Sequence, residues 1–471
     1  MSEIAPLGIA DLPKPPPLKK LIGPSFILLG LGLGSGELIL WPYLASNYGF
    51  GIIWGAVLGI TLQFFINMEI ERYTLVTGES IFVGLSRKFK KIAPMWFLIS
   101  TFLPWIWPGI IASSASLLAA ALGVPYTKYF GIVLLLIIGL ILTLGSSIYK
   151  TQEKFQKGII YIGIPFIFLL TIFLTKTEHV TELAFGIIGK GRGYWFLPAG
   201  ISISSFLAAL AYAGAGGNLN LSQSYYIKEK GYGMGINARK LKSIISKNKE
   251  NLVLEGKTFP LTMSNLTSYK LWWKRINIEH AIVFWATGVI TMLTLSLLSY
   301  SLVYGKENIL GGLNFIIEEA SFIGTRTIPF LKVTFLIIAA LMLFGTQFSV
   351  FGSTSRIMAE NLVIYSQHKF RVKNLSKYFY LFLWLQILAG ILIFMLGFSE
   401  PLSLIIVGAV MNAITMFIYS AMILYLNTNF LKKPLQPGFV RITALIITIV
   451  FYGGFSAYVI FQNIPKLLGF L

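Results

Sequence analysis

The chain has 471 residues, of which 56% are hydrophobic, 15% aromatic and 12% charged, with a mean hydropathy of +0.76. A soluble globular chain carries about 25% charged residues, so too few charges are present to cover a soluble surface, and lipid must be the solvent for much of the molecule. The formal net charge is +20. The basic residues lie between apolar runs, which is the pattern of membrane topology and not of a nucleic-acid-binding face. The absence of cysteine excludes disulfides, thiolate metal sites and iron–sulfur clusters.

In chain order, residues 1–23 are polar and Pro-rich. They lack the apolar run of a signal peptide and read as a short disordered cytoplasmic arm. A bilayer core about 30 Å thick needs roughly 20 apolar residues per helix. Such runs lie near 24–47, 50–76, 93–122, 129–149, 158–175, 195–227, 279–304, 327–362, 375–397, 401–427 and 439–463. Eleven runs predict an all-α integral membrane protein of the cell membrane, with eleven helices numbered here in that order. With the amino terminus cytoplasmic, 28 Lys and Arg fall on the cytoplasmic side and 7 outside. That asymmetry obeys the positive-inside rule, and an odd number of crossings puts the carboxyl terminus outside. The loop 228–278 holds eleven of the 28. It reads as a solvated cytoplasmic loop, with a lipid-headgroup or regulatory role as the alternative.

Two runs carry glycine clusters in the same way. Helix 1 has Gly34-Ser35-Gly36 followed at once by Glu37; helix 6 has Gly214-Ala215-Gly216-Gly217 followed by Asn218. If the fold is two five-helix repeats, 24–175 and 195–427, with helix 11 (439–463) outside them, helices 1 and 6 occupy equivalent positions. Paired interrupted helices in equivalent positions point to a transporter site near mid-membrane, because unwound backbone frees groups that can replace water around a solute. The alternative is close packing of small residues. A carboxylate at membrane depth costs several kcal/mol unless paired, protonated or hydrated, which makes Glu37 a functional candidate. Gln347 in helix 8 and Asn412 in helix 10 are polar groups in apolar runs, explained equally by interhelical hydrogen bonding or by substrate contact. Glu69, Glu71 and Arg72 sit at the cytoplasmic end of helix 2 and read as a structural ion-pair cluster or an inner gate.

The stretch GPSFILLGLGLGSGELILWPYLASNYGFGIIWGAVLGITLQFFINMEIERYTLVTGES resembles helices 1 and 2 of the Nramp divalent-metal transporters. The shared features are the Gly-Pro start, the break in helix 1, the Gly turn, and Arg72 followed by Val76-Thr77-Gly78. Helix 6, with Asn218-Leu219 after its break, and helix 8, with GTQFSVFG, are similar too. The resemblance implies the LeuT-type fold: two inverted five-helix repeats plus an eleventh helix. The departures are specific. Where the family has DPGN, this chain has Gly34-Ser35-Gly36-Glu37; where it has MPHN, this chain has Ala215-Gly216-Gly217-Asn218. The thioether ligand and the neighbouring histidine are absent, and helix 3 has no acid.

The candidate set is therefore Gly34, Glu37, Ala215, Asn218, Gln347 and Asn412, with Glu37 and Asn218 as metal ligands. Oxygen-only donors suit hard ions such as Mg²⁺ over softer transition metals. The leading expectation is a secondary transporter of a divalent cation carried as substrate, with the bilayer as its partner, no resident cofactor, no nucleic acid, and a monomer as the plausible state. The alternatives are a LeuT-type carrier of an amino acid or other small organic solute, and a non-transporting membrane sensor. Three histidines, no cysteine and no GxxxxGK[ST] sequence leave no catalytic or ATP-binding pattern, so an enzyme is not expected.

Overall fold

A computed structural model describes residues 4–21, 23–145, 148–237, 254–306, 313–366 and 374–468. The middle of loop 228–278 (238–253) and His368 lie outside the described residues. Among the described residues, nine helices are long and apolar enough to cross a bilayer. They are helix 1 (Pro24–Tyr48), helix 2 (Phe50–Thr77), helix 3 (Ile92–Leu122), helix 5 (Tyr149–Leu174), helix 7 (Met263–Val303), helix 8 (Pro329–Tyr365), helix 9 (Leu375–Met395), helix 10 (Pro401–Asn429) and helix 11 (Phe439–Gln462). Helix 4, Lys128–Leu144, is apolar and shorter. Helix 6 is in two pieces, Ile203–Ala211 and Gln223–Lys230. Each of the eleven apolar runs coincides with one of these helices.

The polarity is inside out, as lipid solvation requires. Phe173, Val450 and Phe461 are exposed on the exterior, whereas Glu37, Asn218, Gln386 and Asn412 are completely buried. The interior is built by interhelical polar pairs of the kind that bind helices within lipid. Ser114 of helix 3 donates to the Ala340 carbonyl of helix 8 at 2.8 Å. Gln156 of helix 5 donates to the Gly345 carbonyl and to Ser349 Oγ, both at 2.7 Å.

Three local features depart from uniform α-helix. Helix 1 is α-helical over Pro24–Gly32, π-helical over Leu33–Leu40 and α-helical again over Trp41–Tyr48. Helix 7 has a second π segment, Ala281–Ala286. Helix 3 is interrupted between Trp105 and Gly109, where Pro108 follows Ile106 and Trp107. Proline lacks an amide hydrogen and clashes with the preceding turn, so the sequence FLPWIWPG could have signalled that interruption.

One end of the bundle, called here the basic face, carries the amino-terminal arm and both ends of the loop 228–278. Residues 4–21 of the arm lie against the bundle. Its backbone is held by side chains of helix 7: Trp272 Nε1 donates to the Pro13 carbonyl at 2.6 Å, and Arg275 donates to Pro15 and Pro16 carbonyls at 2.7 Å. Gly8–Ile9 pairs in parallel with Lys257–Thr258, and Leu12 is buried. Proline carbonyls are free acceptors in an extended segment, which is why a Pro-rich arm can be tied down without secondary structure of its own. Helix 7 also starts earlier than its apolar run, at Met263, where the Thr262 hydroxyl caps the Asn265 amide at 3.3 Å. Its first turns are polar and pack through Tyr269, Trp272 and Ile276, so that residues 263–278 of the loop are helix.

Helix 2 ends at Thr77 because Gly78 adopts φ +65°, a left-handed cap whose amide donates to the Thr74 carbonyl at 2.8 Å. A Cβ on Gly78 would stand 2.7 Å from the Met234 carbonyl oxygen. The Val76-Thr77-Gly78 pattern thus brings the turn after helix 2 against the turn after helix 6.

Candidate transport site

Helix 6 breaks where its glycines predict. The first piece stops at Ala211, Gly216 and Gly217 take φ of +71° and +51°, and a 3-10 turn over Gly217–Ser222 leads into the second piece. Only glycine reaches that backbone region without strain. The two ends of the break are joined by Gln63 of helix 2. Its Nε2 donates to the Ala211 carbonyl at 3.0 Å, and its Oε1 accepts from the Gly216 amide at 3.2 Å. Tyr452 of helix 11 donates to the Leu210 carbonyl at 3.1 Å. These bonds satisfy backbone groups that unwinding would leave bare in lipid.

The break is also walled by helices 3 and 10. Asn218 Nδ2 donates to Ser100 Oγ at 2.9 Å and to Thr101 Oγ1 at 2.8 Å, leaving its Oδ1 without a partner. Asn412 Nδ2 donates to the Tyr212 hydroxyl at 3.0 Å, and its Oδ1 is likewise free. Tyr212 stacks on Trp105 with ring centroids 5.5 Å apart, so the interruption of helix 3 lies beside that of helix 6. Ala215 is buried at the break, and Gln347 of helix 8 is buried with a free Oε1.

Helix 1 behaves differently. It is wound through Gly34–Gly36 as a π-helix and is not unwound, which corrects the expectation of two opened backbones. Its glycines serve close approach. A Cβ on Gly32 would stand 2.7 Å from the Gly214 carbonyl oxygen, and a Cβ on Gly36 would overlap the Tyr212 carbonyl. Gly34 faces Thr346 of helix 8, whose hydroxyl accepts from the Gly34 amide at 3.0 Å and donates to the Gly30 carbonyl at 2.8 Å. The glycine clusters of helices 1 and 6 therefore do face each other, backbone against backbone.

Glu37 is completely buried, and neither carboxylate oxygen has a partner. It is directed toward helix 7, where a Cβ on Gly288 would lie 3.4 Å from its Oε1. Glu37 and Asn218 share no hydrogen-bond partner: the first faces helix 7, the second helix 3. Among the described residues no three of His, Asp and Glu converge as a metal-binding group.

The three residues at the basic-face end of helix 2 divide into two sets. Glu69 and Arg72 pair at 2.7 Å. Arg72 also donates to Tyr269 at 2.8 Å and to the Leu435 carbonyl at 3.2 Å. Asn427 donates to Glu69 at 3.0 Å, and Arg72 and Arg441 both lie over the ring of Trp273. This network ties helices 2, 7, 10 and 11 together. Glu71 points elsewhere, accepting from Gln223 of helix 6 at 2.8 Å and lying 3.5 Å from His280 of helix 7. Gln63, Tyr212 and the Ser100–Thr101 pair were not among the sequence candidates. Their signal in the sequence was a polar or hydroxyl side chain in an apolar run, which many residues share.

At the opposite end, between helices 7 and 8, a short helix Asn314–Arg326 buries Glu319 against helix 7, where Ser299 donates to Glu319 Oε2 at 2.5 Å and Oε1 has no partner. Burial pushes the Glu319 carboxyl up to about 8.

No protein-family model matches the chain, and no curated protein matches it. Solved structures of a manganese transporter from Eremococcus coleocola do. One mutant of it aligns with a TM-score of 0.69 at 13% identity, covering 100% of this chain and 92% of that chain. The complex of the same transporter with an aromatic bis-isothiourea substituted compound aligns with a TM-score of 0.68 at 14% identity, over 100% of this chain and 92% of that one. At such identity the likeness is one of fold. The chain is a multi-pass membrane protein with the LeuT-type fold, two inverted five-helix repeats plus an eleventh helix.

Proposed function

We propose that this chain is an Nramp-related secondary transporter of a hard divalent cation such as Mg²⁺, with Glu37 as the fixed charge of the site. The observation that carries the reading is the state of Glu37: complete burial with two bare oxygens. An ionised carboxylate without a partner at that depth costs several kcal/mol. It is therefore neutral with a proton or compensated by a cation, and alternation between those two states is what a carrier needs. The remaining donors around the helix 6 break, the free oxygens of Asn218 and Asn412, are hard neutral ligands, and Gln347 offers a third of the same type. Glu37 lies one residue beyond the contact between Gly36 and Tyr212. Conversion of one π turn of helix 1 to α would rotate the residues beyond that turn by about 100°, which is how Glu37 would reach the break. An organic solute is less well supported, since the room left by the small residues is taken up. Gly214 packs on Gln63 and Phe284, and Gly217 packs on Asn412.

Uptake into proteoliposomes of Mg²⁺, Ca²⁺, Mn²⁺ and neutral amino acids tests the proposal. The expected result is divalent uptake, reduced about tenfold or more by Glu37→Gln, which removes the charge and keeps the shape. Background uptake of every divalent cation in the wild type would end the reading, and amino-acid uptake tolerant of Glu37→Gln would replace it with the organic-solute alternative. We also propose that the basic face is cytoplasmic and the carboxyl terminus external, as the split of 28 to 7 basic residues implies. Protease cleavage of the loop 228–262 only in inverted vesicles is the expected outcome; cleavage from outside intact cells would reverse the orientation.

A further inference from the structure

Near the basic face, and separate from Glu37, lies a buried constellation that the transport site does not use. Ser25, in the first turn of helix 1, donates its hydroxyl proton to Glu279 Oε2 of helix 7 at 2.5 Å. The same Oγ lies 2.8 Å from His280 Nδ1. His280 and Ser25 are completely buried and Glu279 nearly so. Two atoms of the set are bare: Glu279 Oε1 and His280 Nε2. The imidazole plane is held between Phe64 at 5.6 Å and Phe284 at 4.7 Å, both near parallel.

A hydroxyl has one proton, so the direction of these bonds is coupled. If Ser25 donates to the Glu279 carboxylate, it must accept from His280 Nδ1–H, and the neutral ring then presents Nε2 as a bare acceptor. A proton arriving at Nε2 releases the proton on Nδ1. That proton forms an O–H bond at Ser25 Oγ as the original Ser25 O–H bond breaks, and the displaced proton forms an O–H bond on Glu279. The heavy atoms need not move, and the cluster has gained one proton. Helix 3 carries no ionisable side chain, so this set supplies titratable groups that helix 3 does not.

The charges that face the relay come from several elements. Glu71 of helix 2 lies 3.5 Å from Nδ1 as a second acceptor, and Arg441 of helix 11 acts on both Glu71 and His280. Lys230 of helix 6 and Lys157 of helix 5 act on Glu279. The hydroxyls of Tyr149 and Tyr232 are bare and lie within the field of Glu279, as well as that of Glu153. The position favours coupling. His280 is the residue before the π segment Ala281–Ala286 of helix 7, and Gly288, just beyond it, is the residue Glu37 faces.

We propose that Glu279, Ser25 and His280 form a proton-binding relay that couples proton uptake at the basic face to the packing of helix 7 against Glu37. This rests on the transporter reading above, and two measurements separate them. In purified protein labelled with ¹⁵N-histidine, His280 is assigned among the three histidines by its loss in His280→Gln. The expected signal, followed from about pH 9 down to about pH 5, is an exchange of the two ring nitrogens, Nε2 gaining a proton as Nδ1 loses one while the ring stays neutral, and it shifts in Ser25→Ala and Glu279→Gln. Ser25→Thr, which keeps the hydroxyl, restores it. A His280 signal unmoved across that range overturns the relay whatever the protein transports. In proteoliposomes, the ratio of uptake with and without a pH gradient should fall about tenfold in Ser25→Ala and recover in Ser25→Thr. An undiminished ratio in Ser25→Ala overturns the coupling. A titrating His280 in a protein that moves no divalent cation sustains the relay and rejects the cation substrate.

Discussion

Helices 1 and 6 present the same sequence device, a glycine cluster followed by one polar side chain, and the structure uses it in two ways. In helix 6 the glycines permit a true break, with two left-handed residues and a carboxamide from helix 2 stitched across the gap. In helix 1 the glycines stay within a wound helix and instead remove side chains from the surface that receives the helix 6 break. The lesson is that glycine permits both unwinding and close approach, and that one member of a matched pair can exist to accommodate the other. The polar residue after each cluster behaves accordingly: Asn218 joins helix 3, and Glu37 is left without a partner toward helix 7.

The comparison can be broken most sharply at Gly36. Gly36→Val should prevent the approach of helix 1 to the Tyr212 carbonyl, costing about 3 kcal/mol or more because the obstacle is backbone and cannot swing aside. Thermal unfolding in detergent would show it, and a wild-type midpoint would mean that the two helices do not meet there. The next effect lies in helix 6. Gln63→Leu leaves the Ala211 carbonyl and the Gly216 amide without their partner, at about 1–3 kcal/mol for each buried group. The same measurement should show a lowered midpoint, whereas an unchanged midpoint would indicate that water or another side chain spans the break.

A further contrast is Glu319, another buried carboxyl with a bare oxygen, which differs from Glu37 in lying outside the membrane spans. Its carboxyl titrates near 8 in the fold against an ordinary 4.5. Folding thus favours the protonated form, and the contribution present below about pH 4.5 is lost as the pH rises through about 8. Thermal midpoints should fall over that window in the wild type and fall less in Glu319→Gln. Equal pH profiles for the two would show that Glu319 does not titrate there.

Of the site, the residues legible in the sequence were those whose type is rare at membrane depth. Glu37 stands out as a lone acid in an apolar run, and Gly214–Gly217 as a cluster that a continuous helix would not need. The partners were illegible because they are remote in the chain and ordinary in kind: Gln63 lies 153 residues from Gly216, and Ser100 and Thr101 are small hydroxyl residues of a type found throughout the chain. The contacts of the arm are illegible for another reason: Pro-rich composition reports the lack of regular structure and says nothing of acceptors for Trp272 and Arg275. The three acidic and basic residues of helix 2 read as one cluster because they are adjacent in sequence, whereas successive residues of a helix point about 100° apart. That geometry sends Glu69 and Arg72, one turn apart, to the same network and Glu71 to His280.

What the sequence determined by itself was the solvent, the eleven apolar runs, the break in helix 6 and the presence of a buried acid. Those depend on hydropathy, length and the conformational range of glycine, which are local properties. Whether helix 1 opened or stayed wound, which helix Glu37 faced, and which groups closed the break in helix 6 were decided only by tertiary packing. The reason is that each depends on what stands within about 3 Å of a backbone atom, and in a bundle of inverted repeats the group at that distance comes from a different helix, more than a hundred residues away.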